Sequence, residues 1–465
     1  MSLPRNLLYT SKQDSLGSRP YTSNIQSQNQ NYTMNDTIVL NIPCNRNTCL
    51  SPADSYLKFS VQMTNGAAIN TWTRLSKAGA HGFIQRLRLF HGSTLLEDID
   101  NYGNLVAQLS THQRNADDVF YGGSVVEGFD EASQVSINNV YNISGLRGAR
   151  ITNSAYAAGG GAADIAAGAV TPVKTFCIPL VSIIGTLTDK YVPLFSMTSA
   201  PLRLELQLVS SAQIPVVALT AFASFSITNV EYIGSFIELS DQALSVIQQS
   251  QAGAPLTMAV DRYANLIGNA NLLNAVTSVS IPVPFKYSST QAIISSIRQY
   301  AAGVTTFDAF GSNHFNLSEY RWAFGSETIP SKAIGSDLYN GNRGMMYNYY
   351  CSALGSPYSL TYNPLISLYT YDTMAIPVAS TETPNTAANN LTSIAGAFGI
   401  GQELVSYPSA NVDQMFAGRN TQTEDIYLNL QFAANAAAPA VRFDLYCLNY
   451  SDEGGIVLPK VMLVC

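Results

Sequence analysis

Charge is what this chain has least of. Only 12% of its 465 residues are Asp, Glu, Lys or Arg, about half the ~25% usual for soluble domains, and Ser, Thr, Asn and Gln fill the polar positions instead. A surface so weakly charged suits a protein whose outside is covered by partner subunits, because charged residues are depleted from interface cores. A polar secreted β-protein has the same composition, so both readings stay open on this ground. The net charge is −7 and the pI is near 5.1. No general positive field attracts phosphates, and sequence-independent nucleic-acid binding by the folded body is not expected.

Metal-ligating and nucleophilic residues are also sparse. The six cysteines (Cys44, Cys49, Cys177, Cys351, Cys447, Cys465) form no CxxC pair and no Cys/His cluster. Neither a zinc site nor a dense disulfide framework is signalled, and reduced thiols are the simplest reading. Cys44 and Cys49 are near enough in sequence for one bridge to remain conceivable. No nucleophile elbow, Walker loop or dinucleotide fingerprint occurs in a strand-to-helix context. Gly159-Gly160-Gly161 lacks the Lys and Ser/Thr of a phosphate loop. No apolar run reaches the ~18 residues of a membrane span. The first residues, MSLPRNLLYTSKQDSLGSRP, lack the continuous apolar stretch of a signal peptide, so none is expected.

Two weaker chemical patterns remain. A metal-binding double β-sandwich needs a close His-x-His with a following Glu and a distant His. The four histidines are His81, His91, His112 and His314, and His91, Glu97 and His112 are the nearest approximation. A solvent-facing or satisfied core histidine is the default. The carboxylates Glu97, Asp98 and Asp100, and the pair Asp117 and Asp118, are of the type used in glycoside hydrolysis. Acidic turns are far commoner, and Asp98 and Asp100 read as acceptors for backbone donors in the turn before Tyr102. The 26 tyrosines and 19 phenylalanines suit a sugar-binding groove, but suit sandwich cores and subunit contacts better. No catalytic, cofactor-binding or metal-binding residue is assigned, and no cofactor is expected.

What the chain does have is alternation. Leu202, Leu204, Leu206 and Leu208 alternate with Arg203, Glu205 and Gln207, which places the leucines on one face of a strand. The same period of two runs through Leu57, Phe59, Val61 and Met63, through Tyr320, Trp322 and Phe324, through Ile426, Leu428, Leu430 and Phe432, and through Val441, Phe443 and Leu445. Helical spacing is confined to short stretches, Leu105, Leu109 and His112 in the first half and Met346, Tyr349 and Tyr350 in the second. The tracts Ala155 to Ala169 and Ser380 to Ala395 lack periodicity and read as long surface excursions between strands.

The order of these segments repeats. A strand at Tyr56 to Met63, the segment Arg86 to Gly92 and a helix from Tyr102 to Gln113 are echoed by Ala292 to Gln299, Glu319 to Ser326 and a helix from Gly344 to Leu354. LRLELQL at Leu202 followed by FSITNVEYIGSFIEL at Phe225 is echoed by IYLNLQF at Ile426 followed by FDLYCLNYSDEGGIVL at Phe443. The offset is about half the chain throughout, and repetition of order decides architecture before any motif does. The expectation is all-β, two tandem eight-stranded jelly-roll sandwiches with short helices in the inter-strand loops. Residues 1–35, rich in Ser, Asn and Gln, read as a flexible arm unable to fold alone. Residues 36–240 and 256–465 form the two sandwiches. The linker, 241–255, holds a short helix capped by Ser240 and ends at Gly253-Ala254-Pro255.

With these segments in hand, the chain resembles the double jelly-roll major capsid proteins of tailless icosahedral DNA viruses, in particular those of polinton-like viruses and virophages. The resemblance runs from about Asn35 to the end. It is carried by FIQRLRLFHGSTLLEDIDNYGNL from Phe83, IPLVSIIGTLTDKYVPLFSMTSAPLRLELQL from Ile178, VSIPVPFKYSSTQAIISSIRQY from Val279, YRWAFGSETIPSKAI from Tyr320 and the terminal IYLNLQF. The second of these looks like the family's link between its sixth and seventh strands, a short helix feeding a core strand. The fourth looks like a strand turning at Ser331 into the loop before a helix.

The resemblance implies a homotrimer of pseudo-hexameric outline that tiles a virion shell assembled inside the host cell. Penton proteins stand at the vertices, minor capsid proteins are further partners, and any genome is held by another protein. Inter-strand loops point outward and the N-terminal arm lies inside, tying neighbours together. This chain's loops are short beside those of the larger relatives, so elaborate towers are not expected. Two other readings stand beside it, a carbohydrate-binding or carbohydrate-active tandem β-sandwich, and a minor capsid or spike protein of the same fold.

Overall fold

The computed structural model describes residues 17–65, 78–115, 122–129, 173–188, 190–210, 222–250, 260–271, 278–299, 310–335, 343–355, 397–404, 418–433 and 440–450, with 74–75, 118, 216–217, 257–258, 366, 371 and 456–457. The tracts 155–169 and 380–395 lie outside the described residues.

The first half contributes β1 (Ser18–Gln26), β2 (Thr37–Ile42), β3 (Thr48–Asn65), β4 (Ile84–His91), β5 (Thr94–Asp100), helix α1 (Tyr102–His112), β6 (Lys174–Ile178), β7 (Leu202–Leu208) and β8 (Phe222–Leu239). Helix α2 (Asp241–Ser250) follows. Ser240 caps it, its Oγ accepting from the Ala243 amide at 3.3 Å. The second half contributes β9 (Asp261–Asn271), β10 (Ser278–Val283), β11 (Thr290–Gln299), β12 (Leu317–Phe324), β13 (Glu327–Gly335), helix α3 (Gly344–Ala353), β14 (Gly399–Glu403), β15 (Ile426–Phe432) and β16 (Ala440–Tyr450).

Sheet order proves the internal repeat. The first half pairs its strands as β1–β8–β3–β6 and β2–β7–β4–β5, and the second as β9–β16–β11–β14 and β10–β15–β12–β13. Every strand has its counterpart eight places later in the same position, and in both halves a helix follows the fifth strand. Each half is thus two antiparallel sheets face to face, a jelly roll. The alternation supplies the interiors. The β7 leucines 202, 204, 206 and 208 are buried against Leu57, Phe59, Val61 and Met63 of β3 and Leu87 and Leu89 of β4. In the second roll Tyr320, Trp322 and Phe324 meet Ile426, Leu428, Leu430, Phe432, Phe443 and Leu445. Each such side chain withdrawn from water contributes about 1.5–3 kcal/mol.

Both rolls use the same hairpin between their fourth and fifth strands. His91 pairs with Thr94 across Gly92-Ser93, and Phe324 pairs with Glu327 across Gly325-Ser326. Gly92 and Gly325 have φ of +59° and +57°, the positive value that the first position of a two-residue II′ turn requires. No atom lies within 4 Å of a Cβ built on Gly325, so its requirement is one of backbone conformation alone. Gly325→Ala is expected to lower stability by about 1–2 kcal/mol in chemical denaturation, with Gly325→Asn milder. A neutral alanine variant would contradict the assignment.

Two expectations are corrected. The arm 1–35 is not unfolded throughout: β1 runs antiparallel to β8 from Ser18↔Leu239 to Gln26↔Glu231, and the short strand Asn31–Thr33 continues along β8. β8 is paired along one side by β3 from Phe222↔Asn65 to Glu238↔Thr48, and its other side is an edge whose amides and carbonyls need pairing. Tyr21 then stacks on Phe236 at 5.4 Å, and Tyr32 is buried. Second, the fourth resemblance segment does not end its strand at Ser331. Strand β13 runs on to Gly335, and Ser331 lies in an irregularity between the pairs Trp322↔Ile329 and Tyr320↔Ile334. The other assigned connection is as expected, with a short 3-10 turn, Leu194–Ser196, feeding β7.

Candidate functional site

In a jelly roll only the inner face of each sheet must be apolar, so β16 should alternate. Instead the whole run from Arg442 to Cys447 is buried. Phe443, Leu445 and Cys447 face the second core. Arg442, Asp444 and Tyr446, together with Ala292, Ile294, Ser296 and Arg298 of β11, lie on the outer face of the sheet. The two helices and the β5 edge of the first roll cover that face.

Helix α1 is the key element, for all eleven of its residues are buried. Asn101, which precedes it with φ 49°, adopts a left-handed conformation that Asn tolerates better than most residues. Its Nδ2 donates to Asn265 Oδ1 of β9 at 3.2 Å, and its Oδ1 accepts from Arg442 and from Gln85 Nε2 at 2.9 Å. One turn on, Asn104 Nδ2 donates to Ser296 Oγ at 2.9 Å and to Tyr446 Oη at 3.0 Å, while the Tyr446 hydroxyl donates to the Asn101 carbonyl at 3.0 Å. Gln108 accepts from the Tyr350 hydroxyl of α3 at 2.7 Å. His112 meets the Tyr350 ring edge-on at 4.7 Å, and Gln113 donates to the Leu354 carbonyl. The two rolls are therefore locked by a buried polar seam of directional bonds, with Asn104 Oδ1 left without one.

Beneath Asn101 lies a buried ionic triad. Arg298 Nε donates to Asp444 Oδ2 at 2.6 Å and Arg442 Nε to Asp444 Oδ1 at 2.9 Å. The side chain of Asp444 is 0% exposed and those of the arginines 6% and 7%. At the other side of the seam β5 packs alongside β9, and here Glu97 is 2% exposed. Its Oε2 accepts from Ser182 Oγ and from the Ile183 amide at 3.1 Å, while Oε1 has no hydrogen-bond partner. Burial pushes its carboxyl up to about 7, against the partial relief of those two donors and of the Arg262 charge on β9.

The residues weighed for chemistry are not brought together. His91 Nε2 lies 3.1 Å from the Met197 carbonyl, Glu97 sits on Ser182, and His112 packs against Tyr350. Among the described residues no three His, Cys, Asp or Glu side chains are grouped to hold a metal. Asp100 does accept the Asn101 amide at 2.8 Å. Asp98 does not serve that turn: it takes a two-pronged bond from Arg86 at 2.7 and 2.6 Å, a diagonal contact, since the ladder pairs Arg86 with Asp100 and Arg88 with Asp98. Asp118 pairs with Arg114, and Asp117 and Gly159 to Gly161 lie outside the described residues. Cys44, Cys49, Cys177, Cys351 and Cys447 are free thiols.

Sequence reading missed one titratable cluster. His81, 1% exposed, bonds Glu127 at 2.9 Å, and Arg114 donates to the same carboxylate at 2.7 Å. Burial opposes ionisation of Glu127, but His81 and Arg114 outweigh it and hold the carboxyl below its ordinary value. The cluster pins 122–129 to the end of α1. A shallow groove of about 240 Å³ crosses the outer face of β10, β15, β12 and β13, below the ~300 Å³ at which small-ligand sites begin. No helix among the described residues is long and apolar enough to cross a membrane.

No family profile and no curated protein matches the sequence. Solved structures do match. The chain aligns with PBCV-1 VP54, in a crystal structure fitted into a reconstruction of the virophage Sputnik, at TM-score 0.55 and 13% identity over 95% of this chain and 96% of that one. It aligns with the Faustovirus major capsid protein at TM-score 0.52 and 10% identity over 96% and 92%. A third match, from the structure of the Sputnik virophage itself, has TM-score 0.53 and 8% identity over 97% and 90%. At these identities the likeness establishes the fold, a double jelly roll along nearly the whole chain.

Proposed function

We propose that this chain is the major capsid protein of a tailless icosahedral DNA virus, acting by self-association and making or breaking no covalent bond. The observation that carries the reading is the seam, where a polar network and a buried ionic triad hold two jelly rolls side by side as one unit. A hinged or flexible pair would suit a binding protein better than a tile. The 12% of charged residues fits a surface destined for subunit contacts. The likeness in fold to capsid proteins of three viruses supports the same role.

On this reading three copies form a pseudo-hexameric trimer, trimers tile a shell in the virion, and penton and minor capsid proteins complete it during assembly in the host cell. The domain division follows the repeat, with the rolls at 36–240 and 256–465 and the linker at 241–255. Strand β1 extends the first roll on its arm side.

The purified chain at micromolar concentration is expected to scatter light as a particle of about 150 kDa, three times 50.1 kDa, without added metal or cofactor. A stable monomer would remove the basis of the reading. Electron microscopy of the same sample should show a three-lobed tile with six barrels.

A further inference from the structure

The connection from β6 to β7 begins with a turn, 180–187, that packs into the first core. Leu180, Ile183 and Ile184 are buried there, while Thr186 is exposed. The turn is closed on itself by three backbone bonds. The Gly185 amide donates to the Ser182 carbonyl at 2.9 Å, the Thr186 amide to Leu180 at 2.8 Å and the Leu187 amide to Ser182 at 3.2 Å.

Three buried side chains from three elements fasten it. Tyr102 of α1 accepts the Val181 amide at 2.8 Å, and Tyr232 of β8 donates to the Ile184 carbonyl at 2.9 Å. Glu97 of β5 accepts from Ser182 Oγ and from the Ile183 amide. Burial pushes both tyrosines well above their ordinary range, so Glu97 is the one fastening of the three whose charge changes near neutral pH. Its oxygens are unequal, since Oε2 takes both donors and Oε1 takes none. A proton belongs on Oε1, where a neutral hydroxyl is far easier to bury than a bare negative charge.

The surrounding charges are engaged elsewhere. On β4 the ladder sets Glu97 opposite Leu89, while Arg86 bonds Asp98 and Arg88 bonds Glu205. Arg262 of β9 relieves Glu97 only in part. Its neighbour Asp261 accepts from Gln291 Nε2 at 3.0 Å and feels the charge of Lys190. Behind Tyr102, Glu127 is bonded to His81 and Arg114.

We propose that turn 180–187 is a proton-operated cap, shut over Glu97 while the carboxyl is neutral and lifted to let water reach Oε1 once it ionises. Lifting exposes Ile183 and Ile184, a penalty that does not depend on pH, whereas staying shut strands a carboxylate whose penalty grows as pH rises. Burial raises this carboxyl from 4.5 to about 7. The shut form is therefore favoured most below about 4.5, loses ground as pH rises, and levels off above about 7. The device belongs to the single chain and operates with or without assembly.

Hydrogen–deuterium exchange of the full chain at pH 5 and pH 8, corrected for the intrinsic effect of pH on exchange, reads the cap directly. Protection of the Ile183, Gly185, Thr186 and Leu187 amides should fall by roughly fiftyfold between the two. Amides of β7 should remain about a hundredfold better protected at either pH, the mark of a local opening. Glu97→Gln should make protection of the turn level with pH. Asp261→Asn, at another carboxyl raised by burial, should leave the fall intact. Circular dichroism reports folding, and if Glu97→Gln does not fold, the unaltered chain and Asp261→Asn decide. Level protection in the unaltered chain overturns the proposal. So does a turn that exchanges only as slowly as β7, a fall that survives Glu97→Gln, or one that disappears in Asp261→Asn.

Discussion

Asp444→Asn should lower the stability of the chain by about 3–5 kcal/mol, the penalty for leaving buried charges without their counter-ion. The asparagine keeps the shape and can still accept a hydrogen bond. It cannot offset two guanidiniums whose side chains are 6% and 7% exposed. Coulomb attraction across 2.6 and 2.9 Å contacts is the term lost, and in a buried site water does not replace it. Urea unfolding followed by tryptophan fluorescence is a suitable measurement, since Trp322 lies in the second core. Replacing the triad by apolar residues, Asp444→Leu with Arg298→Met and Arg442→Met, should recover much of the loss, because a well-packed apolar substitute is often no worse than a buried ion cluster. A single-variant loss under ~1 kcal/mol would show that water reaches the triad.

Glu97 makes the stability depend on pH near neutrality. Its carboxyl titrates at about 7 in the folded chain against an ordinary value of 4.5. The folded state therefore binds a proton that the unfolded state has already released between these values. Stability from this group is complete below about 4.5, falls as pH rises, and is fully lost above about 7. The difference corresponds to about 3 kcal/mol at 1.36 kcal/mol per unit. Glu97→Gln removes the ionisation while keeping the shape. The stability gap between variant and unaltered chain should shift by this amount in favour of the variant between pH 4.5 and pH 8. Parallel curves over that range would mean that Glu97 is solvated, contrary to its burial.

Much of the architecture was legible locally. LRLELQL and IYLNLQF announce one-sided strands because successive side chains of an extended backbone point to opposite faces whatever surrounds them. The repeat was legible because it is an ordering of such segments. The Tyr21, Ser23 and Ile25 alternation in β1 obeys the same rule, yet it sits in a Ser- and Asn-rich stretch whose partner, β8, lies a whole roll's length further along the chain. Its folding depends on an edge that another part of the chain leaves open.

The seam shows the same division. Asn101, Asn104 and Gln108 form an uncharged polar stripe at helical spacing, a signal that is present in the sequence and was passed over for the apolar Leu105 and Leu109. No spacing could have matched that stripe to Ser296, Tyr350 and Arg442, which approach from the other half of the chain. Glu97 was visible only as one acid in a run of three, and the turn at Ser182 and Ile183 decided that it alone would be enclosed.

Strand faces, helix positions and the duplication were thus determined by the sequence itself, since they follow from covalent geometry and the order of apolar residues. Which polar groups are buried, which acid holds its proton and which helix keeps a bare side were decided only by tertiary structure. Desolvation belongs to the meeting of two distant surfaces, and a residue's neighbours along the chain do not specify that meeting.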